Sequence, residues 1–306
     1  MAEGSVAVFE QHRRLLVAMA YQIVGGAAEA EDVVQETWLR WDGADQDAIA
    51  SPRAWLVRVA TRLAIDRLRL ASTRREQYVG PWLPEPLLTS PDVADEAELA
   101  ESVSVAMLVV LETLSPLERA VFVLREAFGY SYAEIGEAIG RAEPAVRQLA
   151  HRAREHVQAR RPRFQPDGAV RREVTERFLA ASLGGDLDAL MRVLAPDVTL
   201  WADGGGKVVA PRRPIHGTAE VARFLVGAAA RDRGSGLEFS LTEANGGPAV
   251  LVTSAGTPVA LFVVDVEADG DRVQAIYLVA NPDKLGTLRS PGAGPQRSAG
   301  RSHPSS

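Results

Sequence analysis

The sequence predicts a multi-domain chain: two all-α modules followed by an α+β cone with a central pocket. Three observations predict it. Apolar residues recur at helical spacing, in short capped segments, from residue 5 to about residue 160. Pro162 and Pro166 then break the pattern. Beyond them the apolar period falls towards two, the alternation of half-buried strands. Helices first and a curved antiparallel sheet after them is a layered α+β solution.

Residues 5–24 place Val8, Leu15, Leu16, Met19, Ala20 and Ile23 on one face, and Gly25-Gly26 stops that helix. A second helix, about Ala28–Trp41, turns Val33, Val34, Trp38 and Trp41 inward. Glu29, Glu31, Asp32, Gln35, Glu36 and Arg40 lie elsewhere on it. After a loop at 42–50, Ser51 is a good N-cap and Pro52 a good first helical residue. The helix they open runs to about Leu70, with Trp55, Leu56, Val59, Leu63 and Leu68 as its buried stripe. Arg58, Thr61, Arg62, Asp66 and Arg69 project from the other side. Residues 1–72 form the first module.

Residues 73–95 read as a linker holding Trp82-Leu83-Pro84-Glu85-Pro86. Two prolines two apart force an extended backbone. A tryptophan in such a segment packs on something. The second module, residues 96–163, opens with a helix over 95–112. Ser115-Pro116 then starts Leu117–Phe128, and Gly129 ends it. Ser131 caps Tyr132–Ile139, with Glu134 at capping-box spacing. Gly140–Glu143 is a turn, and Pro144 starts a helix that reaches about Arg160. Its core face is Val146, Leu149, Ala150, Ala153 and Val157. Its outward face carries Arg147, Gln148, His151, Arg152, Arg154 and Glu155. Two short helices about a turn, the second one basic, is how a chain puts a helix into the DNA major groove.

The third region spans 168–288. Helices are predicted over Ala169–Leu183, Asp186–Leu194 and Ala219–Ala230. Strands are predicted over Val198–Ala202, Lys207–Ala210, Leu237–Ala244, Ala249–Ser254, Pro258–Glu267 and Arg272–Val279. Asp203-Gly204-Gly205-Gly206-Lys207, taken alone, is a tight turn between the first two strands. Residues 289–306, rich in Gly, Pro, Ser and Arg, read as a disordered tail.

Composition narrows the chemistry. The 306 residues contain no cysteine, which excludes disulfides, thiolate zinc sites and cysteine nucleophiles and fits a reducing compartment. No apolar run approaches the roughly 20 residues of a membrane span. Residues 1–10 lack a signal pattern. A cytoplasmic protein with no membrane partner is expected. Net charge is −6, but its sign is uneven. Residues 53–75 carry seven arginines against Asp66, and residues 141–163 seven against Glu143 and Glu155. Two basic helices in an acidic chain should bind DNA poorly alone and better within a larger complex. No catalytic residue, metal or cofactor is assigned.

The motifs resemble a known family. Ala30–Trp41, Trp55–Arg69 and Leu114-Ser115-Pro116-Leu117-Glu118-Arg119 with its helix-turn-helix are similar, in that order, to extracytoplasmic-function sigma factors of the sigma-70 family. The resemblance implies that Glu31, Asp32, Gln35, Glu36 and Trp38 dock on core RNA polymerase, whose β′ clamp and β flap are the expected partner surfaces. It implies that Arg58, Thr61, Arg62, Asp66 and Arg69 read the −10 element of promoter DNA. Arg147, Gln148, His151, Arg152 and Arg154 would read the −35 element.

Three further segments resemble the signatures of a subgroup with a fused SnoaL-like domain of the NTF2-like fold. They are Trp82–Pro86, Asp203–Lys207 and Asn281-Pro282-Asp283-Lys284-Leu285. The resemblance implies an interdomain contact through which that domain modulates sigma activity, with a possible small ligand in its pocket. Two other readings fit the parts. One is a helix-turn-helix regulator with a ligand-sensing domain. The other is an NTF2-like enzyme fused to a DNA-binding module, for which His216, Asp197, Asp203 and Asp265 are the candidate bases.

Overall fold

A computed structural model describes residues 2–75, 77–89, 103–159, 167–231, 234–286 and 288. α1 (Ala2–Val24), α2 (Ala27–Asp42) and α3 (Pro52–Arg75) form the first bundle. Trp41 is its anchor: the ring lies 5.6 Å from Trp55, and the indole N–H donates to the Ser5 carbonyl at 3.1 Å. The Ser51 hydroxyl accepts from the Ala54 amide at 3.3 Å, as the cap chemistry predicts. α3 continues past Leu70 to Arg75, further than the sequence indicated.

The second module is α4 (Val105–Leu111), α5 (Pro116–Phe122), α6 (Tyr132–Ile139) and α7 (Glu143–Gln158). Ser115/Glu118 and Ser131/Glu134 both form capping boxes. The expected helix at 117–128 instead ends at Phe122 and passes into a π turn, Val123–Ala127. Of the expected helix at 95–112, residues 95–102 lie outside the described residues. Ser104 caps the remainder by accepting from Met107.

The two modules share one core. Leu16, Leu56 and Ile65 of the first bundle and Leu108, Leu124 and Val146 of the second belong to the same buried cluster. Arg119 is fully buried at this seam. Its Nε donates to the Gln22 carbonyl at 3.0 Å and its Nη1 to Glu112 at 2.6 Å. A buried arginine is tolerated only when paired in this way.

The C-terminal domain packs α8 (Gly168–Gly184), α9 (Leu187–Val193) and α10 (Thr218–Arg231) on a six-stranded sheet. Its strands are β1 (Leu194–Asp203), β2 (Ile215–His216), β3 (Leu237–Ala244), β4 (Gly247–Ser254), β5 (Thr257–Val266) and β6 (Val273–Val279). The order is β2-β1-β6-β5-β4-β3. Two expectations are corrected here. The sheet is mixed, because β1 runs parallel to β6. Lys207–Ala210 is loop, not strand: Gly205 and Gly206 have φ of 63° and 70°, which curls the chain away from β1. The edge is taken instead by β2.

Both sheet faces are covered. One face buries Leu200 and Ile276 against Phe178, Leu190 and Val221 of the helices. The other buries Leu251, Leu261 and Val279 against Leu83 of the linker and Val105 of α4. Two-sided burial explains why β4, β5 and β6 read as nearly continuous apolar runs.

The β3–β4 hairpin reaches to the helical modules and the linker. Its turn is Asn245-Gly246, with φ of 51° and 66°, both residues on the left-handed side as such hairpins require. The Asn245 side chain is buried among three segments. It accepts from the Leu87 amide at 3.0 Å and donates to the Tyr21 hydroxyl at 3.0 Å and the Val103 carbonyl at 3.2 Å. Asn245→Gly keeps the turn and deletes those bonds. A loss of about 1–3 kcal/mol is expected in urea unfolding, because the buried partners are left unsatisfied. A loss below half a unit would mean that water replaces the amide.

Candidate functional site

α2 presents the expected docking residues to solvent. Glu31 pairs with Arg13 at 2.6 Å and Asp32 with Arg67 at 2.8 Å; Glu36 pairs with Arg40 at 3.2 Å. Gln35 is exposed, and Trp38 is half-buried with its ring 5.0 Å from Phe9. Exposed pairs of this kind hold little energy and exchange readily for other partners.

On α3 the expected −10 residues separate into two groups. Asp66 and Arg69 are exposed and pair with each other at 3.0 Å. Arg62 instead reaches across to α6, donating from Nε to the Ala138 carbonyl at 2.8 Å and from Nη2 to the Glu137 carbonyl at 3.3 Å. A cation on the last carbonyls of a helix is favourable. Arg58 is half-buried and lines a groove with Trp55, Tyr130 and Glu137 between the modules. Thr61 is a correction: it lies on the face of α3 that packs on α1, so it is fully buried, with its hydroxyl 3.6 Å from the Met19 sulfur.

On α7, Gln148 and His151 are exposed, His151 with Glu155 at 3.5 Å. Arg147 lies over the Tyr132 ring at 4.8 Å and pairs with Glu143. Arg152 pairs with Glu118 at 2.8 Å, and Arg154 bonds both Glu126 and the Tyr132 hydroxyl. Burial alone would raise the pKa of Glu118; the Arg152 and Ser115 hydrogen bonds outweigh it and hold the carboxyl below its ordinary value. Every arginine of this set therefore already has an acidic partner within the chain, while staying at or near the surface.

The three remaining segments converge on Asp203, the last residue of β1 and fully buried. One carboxylate oxygen accepts from the Tyr78 hydroxyl and the Gly205 amide. The other accepts from the Leu83 amide at 2.9 Å and the Lys284 ammonium at 2.7 Å. Lys284 also donates to the Leu83 carbonyl and sits 3.1 Å from the centre of the Trp82 ring. Asn281 caps α11 (Pro282–Leu285) and donates to the Tyr78 hydroxyl at 2.9 Å. Burial, then the Asp203 carboxylate, pushes the Tyr78 hydroxyl well above a phenol's usual pKa, so it stays a donor.

The three glycines have distinct tasks. A Cβ on Gly205 would fall 2.5 Å from Asn281; one on Gly204 would strike Ala210 and Val208 at 2.8 Å. Gly206 passes Val79 closely. Outside the buried centre, Lys207 pairs with Asp283 at 2.6 Å. Pro282 is exposed, while Leu285 joins the core behind the sheet.

The Trp82–Pro86 segment also binds the first bundle. Glu85 accepts from the Ala27 amide at 2.8 Å, supplying the N-terminal cap that Gly26 cannot. Its carbonyl accepts from Tyr21, and its amide donates to the Gly25 carbonyl. Pro84 and Pro86 are buried.

Two participants were not anticipated. Tyr78 had no motif to mark it. Asn245 had a signal in the Asn-Gly pair between two strands. A second signal lies in the composition: Lys207 and Lys284 are the only lysines among 34 basic residues, a bias that reads as genome composition, yet both sit in this contact.

The cone holds a solvent-open cavity of about 770 Å3. None of His216, Asp197, Asp203 and Asp265 lines it. His216 meets Thr199 at 3.1 Å on β2, and Asp197 is exposed. Asp265 lies in β5 with its carboxyl pushed up to about 6 by burial, against the opposing pull of the Val266 amide and Arg171. A carboxyl raised in the folded state holds its proton more tightly there than the unfolded chain does. Its contribution is therefore lost as pH rises from an aspartate's ordinary value of 3.8 through about 6. Asp265→Asn should flatten stability over that window and raise it at pH 7 by up to about 3 kcal/mol. Coincident urea profiles for the two proteins at pH 4.5 and pH 7 would contradict the burial account. Among the described residues no group of three His, Asp or Glu could hold a metal ion, and no helix is long and apolar enough to cross a membrane.

Comparison with known proteins agrees with this architecture. Residues 8–74 match the sigma-70 region 2 family and residues 104–157 the sigma-70 region 4 family. The chain is 40% identical over 295 residues to the ECF RNA polymerase sigma factor SigJ of Mycobacterium tuberculosis, covering 92% of this chain and 93% of that one. It is 42% identical over 195 residues to a probable ECF sigma factor, SigI, of the same organism, covering 63% and 67%. The crystal structure of M. tuberculosis SigJ superposes with a TM-score of 0.74 at 37% identity, over 94% of this chain and 99% of that chain. Regions 2 and 4 of a sigma-70 protein, in that order and joined to a C-terminal α+β cone, make this chain a member of the extracytoplasmic-function RNA polymerase sigma factors.

Proposed function

We propose that this alternative sigma factor is held closed by its own C-terminal domain and opens on core polymerase to read promoters. The observation that carries the proposal is the bond from Arg62 of α3 to the α6 carbonyls. Elements centred near −10 and −35 lie about 25 base pairs apart, or about 85 Å at 3.4 Å per pair. Two modules that share a core cannot span that distance. The clasp at Asp203 and the hairpin tip at Asn245 tie the linker to the cone, so separating the modules requires releasing both.

In the open form, α2 docks on the polymerase clamp through Glu31, Asp32, Gln35, Glu36 and Trp38, and region 4 meets the flap. Arg58, Arg62, Asp66 and Arg69 face the −10 strand, where a positive surface favours the displaced backbone. Arg147, Gln148, His151 and Arg152 face the −35 groove, with Arg suited to guanine and Gln to adenine. Arg154 holds α7 to Tyr132 and Glu126 and positions the others. The protein acts in the cytoplasm and performs no turnover of its own: among the described residues no Asp, Glu or His stands at the cavity wall to serve as a general base.

The test is run-off transcription with bacterial core polymerase and the full chain. Arg147→Ala/Arg152→Ala should lower initiation at least tenfold at promoters with a −35 element. Unchanged initiation would remove α7 from promoter reading.

A further inference from the structure

The cone's cavity is walled by α8, α10 and the sheet, with Phe178, Phe224, Phe239, Phe262 and Leu278 among its lining. Its volume, about 770 Å3, is in the range that holds a small-molecule ligand. Among the described residues, only Ser182 and Arg231 bring polar side chains to the lining. The Ser182 hydroxyl donates to the Phe178 carbonyl, so its proton is spent within the helix. Arg231, the last residue of α10, is exposed, and no described carboxylate pairs with it. A ligand with polar groups spread over its body would lose their hydrogen bonds here. One with an apolar body and a single anionic end would keep all of its own, the anion meeting the guanidinium. The tail at 289–306 contains no aliphatic side chain larger than alanine, apart from its prolines, and no aromatic, so it does not suit this wall.

The loop after β1 joins the cavity to the clasp. Asp203–Gly206 hold the linker, while Val209, Ala210 and Pro211 line the cavity. Val209 is fully exposed. Gly80 of the linker lies against Pro211 and Arg212.

We propose that the cavity binds one medium-chain carboxylate, chain inward and headgroup on Arg231, and that the ligand buries Val209 and so holds the 204–211 loop against the linker. The site itself stands apart from the closed-state reading; the coupling rests on it. The ligand would then favour the closed form.

The probe is dodecanoate below its micelle concentration, titrated calorimetrically into the full chain. One saturable site is expected. Arg231→Gln should weaken dodecanoate at least tenfold and leave 1-dodecanol unchanged. Ala260→Trp, or Val252→Phe should the first not fold, should abolish both. Absence of a saturable site, or binding that survives these changes in a folded variant, overturns the site. Hydrogen exchange then reads the coupling: amides of residues 78–87 should slow at least threefold with dodecanoate. Binding with unchanged or faster exchange overturns the coupling. If binding and slowing both occur while transcription is indifferent to dodecanoate, the closed-state reading fails instead.

Discussion

Lys284→Met will release the linker from the cone. Amide exchange at Leu83 should accelerate at least hundredfold, the equivalent of roughly 3 kcal/mol. Asp203 and Lys284 are a buried pair, with side-chain exposures of 0% and 7%. Deleting one member of such a pair costs about 3–5 kcal/mol, because the other charge is left without compensation. Methionine keeps the length and the contact with Trp82 but offers Asp203 no proton. The carboxylate then retains only the Tyr78 hydroxyl and the Leu83 and Gly205 amides. Asp203→Asn combined with Lys284→Met should recover part of the loss, since no charge stays buried. Lys284→Arg should not rescue: a planar guanidinium cannot meet Asp203 and the Leu83 carbonyl while facing the Trp82 ring so closely. On core polymerase, Lys284→Met should raise initiation several-fold. Exchange at Leu83 within threefold of the parent would show that the ion pair does not secure the linker.

Local chemistry explains which parts of this protein were legible in its sequence. Ser51, Ser115 and Ser131 each announce a helix start, and each forms the expected cap. α2 and α7 each bury one stripe, Val33, Val34 and Trp41 on the first and Val146, Ala150, Ala153 and Val157 on the second, so their periodicity is clean. α3 is different: its buried face also takes in Val57, Ala60, Ala64 and Ile65, so a stripe traced through Trp55, Leu56, Val59, Leu63 and Leu68 misplaces Thr61. Val208-Val209 look like strand because both are β-branched. The two glycines before them decide the backbone and send Val209 into solvent. The clasp was legible as three separate segments. That they meet at one carboxylate was not, because Tyr78, Asp203 and Asn281 are brought together only by the β1–β6 pairing and the docked linker. The isolated lysines were the available sign: a chain that otherwise uses arginine retains an ammonium where a compact donor is required.

Tethering α3 to the second module should abolish promoter use. The chain has no cysteine, so Asp66→Cys/Arg141→Cys provides the only two thiols. A long thiol reagent with an internal disulfide can then join them, and reductant can part them. Both positions are exposed and flank the Arg62–Ala138 contact, where a Cβ on Gly140 would lie 3.8 Å from the Arg62 guanidinium. The tether fixes the two readers at about one helix diameter, roughly 10 Å, against the ~85 Å that separates their elements on straight duplex. Bending cannot close that gap at acceptable cost, since duplex of this length is far shorter than its persistence length of about 150 base pairs. Initiation by the tethered chain should fall more than tenfold relative to the same variant after reduction. Reduction should restore it, which separates the tether's effect from that of the substitutions. Equal activity before and after reduction would mean that the modules read DNA without parting, and the clasp would then control something other than their separation.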